Sequence, residues 1–238
     1  MPNDADPALL DDPAWHALSG PHQHFTVPSE HGTPRAYRYR LDVSPFAAVS
    51  DAADPEAWQQ LGELCGPDGR AALEGQDMIA APEGWEMTNL FPLAQMIAPS
   101  DGFDADATPE TLVPLSKRDA DEMMALAELT RPGPFLPSTV ELGGYLGVRR
   151  EGQLVAMAGR RLRVPGWIEI SAVCTHPDHR GQGLSRLLMA AVDAAIRAEG
   201  QRAFLHVLHE NTSAIALYRR LGFTTRADML ITVVRPKG

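Results

Sequence analysis

Cysteine is scarce in this chain: Cys65 and Cys174 are the two among 238 residues. That is too few for a disulfide framework and fits a reducing, cytoplasmic setting. No uninterrupted apolar run approaches the length of a membrane span, and the acidic opening "MPNDADPALLDDP" lacks the basic and apolar regions of a secretory signal. A soluble protein without membrane partners is expected, as a monomer or homodimer. Basic residues are rare at one end only. Residues 1–110 hold 4 Lys+Arg and 19 Asp+Glu, a net of −15, whereas residues 111–238 hold 17 and 12, a net of +5. Without a clustered basic surface, nucleic-acid binding is disfavoured. The basic half suits an anionic ligand, and the acidic half either keeps the chain soluble or draws a cationic amine.

Two phosphate-binding signatures are missing as well. No glycine run ends in Gly-Lys-Ser/Thr, and the turn closest to G-x-G-x-x-G, which begins at Gly181 and Gly183, has Arg186 in the third glycine slot. What surrounds that turn is informative. "GWIEISAVCT" reads as a buried strand, and after the turn Leu184, Leu187, Leu188, Ala191, Val192, Ala195 and Ile196 form one helical stripe that Gly200 ends. Strand, glycine turn and helix put the unpaired N–H groups of a first helical turn beside the permanent cation of Arg180. That combination favours a phosphate or pyrophosphate, although the glycines alone would serve equally to shape a turn.

The run Arg180-Gly181-Gln182-Gly183-Leu184-Ser185 resembles the R-x-x-G-x-G/A acyl-CoA loop of the GCN5-related N-acetyltransferase (GNAT) superfamily, with Ser185 in the last small position. "ENTSAIALYRRLGF" at 210–223 is similar to that superfamily's N-x-x-A-x-x-x-Y…LGF segment. Read from its residues, this segment is a helix with Asn211 as N-cap and Gly222 as C-terminal glycine. "GYLGV", "LVAMAGRRL" and "EISAVCTHPDHRGQGL" look most like the glycine N-acyltransferase-like branch. The resemblance implies acetyl-CoA or another acyl-CoA as co-substrate and an N-acyltransferase acting on a small-molecule or peptide amine. It further implies that Val173, Cys174 and Thr175 hydrogen-bond the pantetheine arm and that Arg180 to Arg186 hold the pyrophosphate. Asn211 would touch the pantetheine or acetyl end, and Tyr218 would protonate the departing thiolate. The alternative is a module that binds acyl-CoA without chemistry.

Direct attack of an amine on a thioester needs positioning, a polarising donor and proton traffic, and no covalent nucleophile. Glu169 is the first candidate for a general base: strand alternation puts it on one face with Ser171 and Val173, and a carboxylate in so apolar a strand needs a partner or a task. Glu141 is a second candidate. Phe135 and Leu136 of the Pro-rich loop 131–138, Thr139 just after it, Glu141 and His206 are expected to touch the acceptor. Cys174, His176 and His179 lie close in sequence, but Pro177 and strand pairing oppose bending all three inward, so no metal is expected.

A joint rich in Pro, Gly and Asp at 98–110 divides the chain into residues 1–110 and 111–238. After it come a strand in "TLVPL", a helix capped by Ser116, the Pro-rich loop, a hairpin turning at Glu151-Gly152, the strand 167–175, the glycine-turn helix, a strand in "AFLHVL", the Asn211 helix and a terminal strand pair from Phe223. The fold class expected is α/β with an α+β mixed sheet: a GNAT acyltransferase fold in the second half, preceded by a smaller divergent α+β domain. In that first part "RAYRYRL" reads as a strand, "PEAWQQLGELCG" as a helix and "GWEMTNLFPLAQMI" as one or two strands. The faint echo of "PEGWEM" in "PGWIEI" permits a degenerate GNAT-like half.

Overall fold

Helical and strand periodicities alternate along the chain, and the computed structural model describes residues 5–67, 69–104 and 110–237. The first part contains α1 (Pro13–Leu18), β1 (Ala36–Arg38), β2 (Phe46–Val49), α2 (Pro55–Cys65), β3 (Ala71–Gly75) and β4 (Trp85–Ile97). Then follow β5 (Leu112–Pro114), α3 (Ala120–Thr130), β6 (Leu146–Arg150), β7 (Gln153–Val164) and β8 (Trp167–Thr175). Last come α4 (Leu184–Ala198), β9 (Arg202–Leu208), α5 (Thr212–Arg220) and β10 (Thr224–Pro236). Local chemistry sets several boundaries. Ser116 and Asp119 form a reciprocal capping box ahead of α3, and Glu151 and Gly152, with φ of 49° and 84°, make the positive-φ turn that a two-residue hairpin loop needs.

The described strands form one ten-stranded sheet in the order β1-β2-β3-β10-β4-β9-β8-β7-β6-β5. Only β2 with β3 and β8 with β9 run parallel, so the sheet is mixed, as expected. β4 lies between β9 and β10 and pairs antiparallel with both. A strand from residues 1–110 is thereby built into the interior of the sheet that residues 111–238 supply. Part of the expected joint, residues 105–109, lies outside the described residues.

The terminal strand pair expected from Phe223 is instead one strand, β10, because β3 and β4 flank it and a register shift beside Arg226 lets it bend without breaking. β4 likewise continues through Pro92. His209 N–H donates to the Pro92 carbonyl, so the N–H that proline lacks would face the side where β9 has already ended.

Helices cover both faces. On one, Leu184, Leu188, Met189 and Val192 of α4 and Tyr218 of α5 pack on Ile168, Ile170, Ala203 and Leu205. On the other, Met123, Leu126 and Ala127 of α3 pack on Met157, Ala172 and Cys174, and Leu18 of α1 joins Phe46, Leu162, Trp167 and Phe204.

Candidate active site

β8 and β9 pair only from Trp167 opposite Arg202 to Glu169 opposite Phe204. Beyond that point β8 stays with β7 and β9 with β4, so the two strands part and leave a wedge between residues 170–175 and 205–208. Backbone donors and acceptors facing such a wedge need partners, which makes it a seat for an extended, amide-bearing ligand. A bulge marks the β8 wall: Ala172 has φ 53° and the register with β7 shifts there. One extra residue reverses the side-chain alternation. Val173 accordingly packs against the α4 cluster while Cys174 joins the α3 cluster, and Glu169 faces the α1 side. The expectation that Glu169 and Val173 share a face is overturned by this bulge.

At the open end of β8 the glycine turn delivers the chain into α4. Gly181 and Gly183 both have φ 77°, a region costly for other residues, and a Cβ on Gly181 would meet nothing within 4 Å. Gly183 is the N-cap and no side chain caps the first turn. The early amides therefore keep their partial positive charge available to an anion, with exposed Arg180 and Gln182 alongside. Ser185 Oγ lies 3.0 Å from Thr175 Oγ1, tying the turn to the end of β8. Leu184 points its side chain into the core, and Arg186 donates to the Asp104 carbonyl at 3.0 Å.

α5 packs beside the wedge, its Tyr218 in one buried cluster with Ile170, Leu205 and Val207 of the two walls. Asn211 caps it by accepting from Ala214 N–H at 3.1 Å. Tyr218, about two turns further along α5, is 8% exposed; burial, and secondarily Cys174, push its phenol up to about 12, so it holds its proton at neutral pH. The Cys174 thiol is itself pushed up to about 11 by burial, which makes it a poor nucleophile. The structure thus brings Thr175, the glycine turn, Cys174 and Tyr218 to one wedge.

Glu169 is not placed as a free base. It is fully buried, and Arg161 donates to both of its oxygens at 2.7 and 2.5 Å, His206 Nδ1 lies 2.9 Å away and Leu162 N–H 3.3 Å away. Burial alone would raise its pKa, but the charge and hydrogen bonds of Arg161, aided by His206, hold the carboxyl well below the ordinary range. A carboxylate so weakly basic and with its lone pairs engaged cannot take an amine proton. His206 is enclosed with it: its side chain is 2% exposed and sits 3.3 Å from Glu74 and 3.0 Å from the Gln95 amide nitrogen. Arg226 fixes that amide by donating to its oxygen at 2.8 Å. Burial opposes a charged ring, yet Glu74 and Glu169 raise its proton affinity. His206 therefore does not line an open pocket as expected.

The other acceptor-side expectations divide. Thr139 is buried and donates to the Val43 carbonyl at 2.7 Å, so its hydroxyl is spent on joining the Pro-rich loop to the first half of the chain. Glu141 faces outward and pairs with Lys117 at 2.7 Å, away from the wedge. Leu136 is half-buried, its N–H donating to Thr139 Oγ1 at 2.8 Å. Phe135 lines a surface groove at the end of α3 with Met124, Ala127, Glu128, Arg131 and Gly133. Among the described residues no three His, Cys, Asp or Glu side chains converge as metal ligands. Arg161 and Glu74 escaped the sequence reading. The signal for Arg161 was an arginine at an inward position of the apolar run "LVAMAGRRLRV"; Glu74, alone in "AALEG", gave none.

Residues 145–231 match the model of the FR47-like protein family. A solved structure described as a GNAT-family protein of Novosphingobium aromaticivorans is 36% identical, with a TM-score of 0.85, covering 96% of this chain and 99% of that one. The chain belongs to the GNAT superfamily. N-alpha-acetyltransferase RimI of Mycobacterium tuberculosis is 34% identical over 131 residues, 50% of this chain and 81% of that protein. Mycothiol acetyltransferase of Streptomyces avermitilis is 26% identical over 206 residues, 84% of this chain. The chain spans 53% and 58% of the length of two of the curated relatives it matches. Among the described residues no helix is long and apolar enough to cross a membrane.

Proposed function

We propose that this GNAT chain transfers an acetyl or other short acyl group from acyl-CoA to a primary amine by direct attack in a ternary complex. The observation that carries this reading is the wedge between β8 and β9, open at the uncapped start of α4 and faced by the protonated phenol of Tyr218. The pyrophosphate would lie on the amides of residues 181–186 beside Arg180, and the pantetheine along 173–175. The neutral amine nitrogen attacks the thioester carbonyl carbon; the C–N bond forms and the C–S bond breaks. Tyr218 gives its proton to the thiolate and regains one from the nitrogen, directly or through water, leaving an amide and free CoA thiol. Glu169 serves as a structural anion that fixes β7, β8 and β9 at the apex of the wedge. Residues 1–110 supply β4 and the helix that closes this apex.

The test is a screen of amino acids, polyamines, aminoglycosides and peptides with acetyl-CoA, with hydrolysis subtracted. Stoichiometric CoA release with an acetylated product supports the reading. A second reading, an acyl-CoA-binding module without chemistry, draws on the occupied state of Glu169; it is favoured if acetyl-CoA binds and no amine is modified.

A further inference from the structure

Gln95 on β4 ties the first part of the chain to the apex of the wedge, and the two ends of its amide are not interchangeable. Arg226, which can only donate, gives a hydrogen bond to Gln95 Oε1 at 2.8 Å, and the Leu10 carbonyl, which can only accept, takes one from Gln95 Nε2 at 2.8 Å. The amide nitrogen therefore turns its second N–H to His206 Nε2, 3.0 Å away, and that ring nitrogen accepts it. His206 is then neutral, with its one proton on Nδ1 and given to Glu169 at 2.9 Å. Burial opposes a second proton on the ring and Glu74 and Glu169 favour one, but placing it on Nε2 would set two donors against each other.

Glu74 is left without a donor. Its side chain is 0% exposed, neither oxygen has a hydrogen-bond partner, and Oε1 lies 3.3 Å from the same Nδ1 that serves Glu169. Two carboxyl groups thus face one N–H. Around Glu74 stand Asp12 ahead of α1, Tyr39 just after β1, Arg161 on β7, Glu169 on β8 and His206 on β9. The others are engaged elsewhere: Asp12 accepts from Trp15 N–H at 3.1 Å, the Tyr39 hydroxyl lies 2.6 Å from His22 Nδ1, Arg161 donates to Glu169, and Arg226 of β10 pairs with Asp11. A buried carboxylate with no donor costs far more than the neutral acid. Burial pushes the Glu74 carboxyl up; His206 opposes the shift and the Glu169 charge adds to it. The position is a joint as well, because Ala72 of β3 and Ala14 of α1 share one buried cluster with Trp167 and Phe204, where β8 and β9 are still paired.

Resting on acyl-CoA occupancy of the wedge, we propose that Glu74 is a pH-sensitive latch: as a neutral acid it lets β3 and α1 seat against the apex, and when its proton leaves to solvent at rising pH, two buried carboxylates repel and the apex loosens around the bound acyl-CoA. The experiment compares the wild type with Glu74→Gln, which keeps the size of the neutral acid and cannot ionise. A carboxyl raised in the folded state and at 4.5 when unfolded contributes stability that is fully present below about pH 4.5 and is lost as pH rises through the folded value. The variant escapes that loss. Its urea midpoint should match the wild type below about pH 4.5 and exceed it by about 0.5 M for each pH unit above, until the folded value is reached. Nitrogen NMR of labelled wild type, assigned against His206→Gln, should show His206 as the neutral Nδ1–H tautomer at neutral pH. Acetyl-CoA, titrated by calorimetry, should bind both proteins equally at about pH 5 and the variant about fivefold more tightly at about pH 9. A variant midpoint below that of the wild type at neutral pH, or a His206 imidazolium there, means an ionised Glu74 and overturns the proposal. Equal pH dependence of acetyl-CoA affinity in the two proteins overturns the latch. No acetyl-CoA binding by either protein, with the midpoints as expected, overturns the acyl-CoA reading and leaves Glu74 a neutral acid.

Discussion

Glu169→Gln separates an anchor from a base. Glu169 is 0% exposed, and it neutralises Arg161, whose side chain is 11% exposed and lies 4.9 Å over the Phe46 ring. Replacing the carboxylate by an amide leaves a buried guanidinium without its anion, at a cost of about 3–5 kcal/mol. With a urea slope of about 2–3 kcal/mol/M, the unfolding midpoint, followed by circular dichroism, should fall by about 1–2.5 M. Replacing both partners, as in Arg161→Met with Glu169→Leu, removes the stranded charge and should recover most of that loss. The pH dependence has a definite sign. A carboxyl held low in the folded state and at 4.5 when unfolded adds stability that is fully present above about pH 4.5 and is lost as pH falls through the folded value. The double variant should lack that component. A base would behave otherwise: stability near that of the wild type and turnover down about 10²- to 10⁴-fold. That pattern for Glu169→Gln would refute the anchoring role.

Other perturbations follow from the same geometry. Tyr218→Phe should lower turnover about 10²-fold with acetyl-CoA affinity retained in calorimetry, because only the proton donor is removed. Arg180→Ala should weaken CoA about tenfold in calorimetry, and desulfo-CoA should show the same loss, since the contact is to phosphate. Residues 111–238 expressed alone lack β4, which pairs with β10 from Thr224 to Pro236 and with β9 from Phe204 to Leu208. With β3 also gone, both edges of β10 and one of β9 lose their partners; that should leave the fragment aggregated or poorly dispersed in NMR spectra, and refolding it together with residues 1–110 should restore the native spectrum.

Most of what places the wedge was legible because it is local. Gly181 and Gly183 stand before a strict apolar stripe, and the Trp167–Thr175 strand, the Asn211 cap and the Glu151-Gly152 turn each follow from a few neighbouring residues. What escaped is non-local. The bulge at Ala172 carries no glycine or proline to announce it, so alternation assigned Val173 to the wrong face. Glu169 looked like a lone carboxylate because Arg161, eight residues away, and His206 meet it only across strand pairs. Glu74 and Gln95 approach from the first part of the chain, and β4 enters between β9 and β10, an arrangement no periodicity encodes. Thr139 reads as a loop residue free to touch a ligand until Val43, 96 positions earlier, takes its hydroxyl.

The central claim is that acyl-CoA occupies the wedge between β8 and β9 with its pyrophosphate at the start of α4. A crystal soaked with CoA tests it most directly. The account predicts pyrophosphate oxygens within hydrogen-bonding distance of amides in residues 181–186 and the CoA sulfur beside Tyr218. A bound CoA whose pyrophosphate lies elsewhere, or a wedge left empty at saturating CoA, would contradict it.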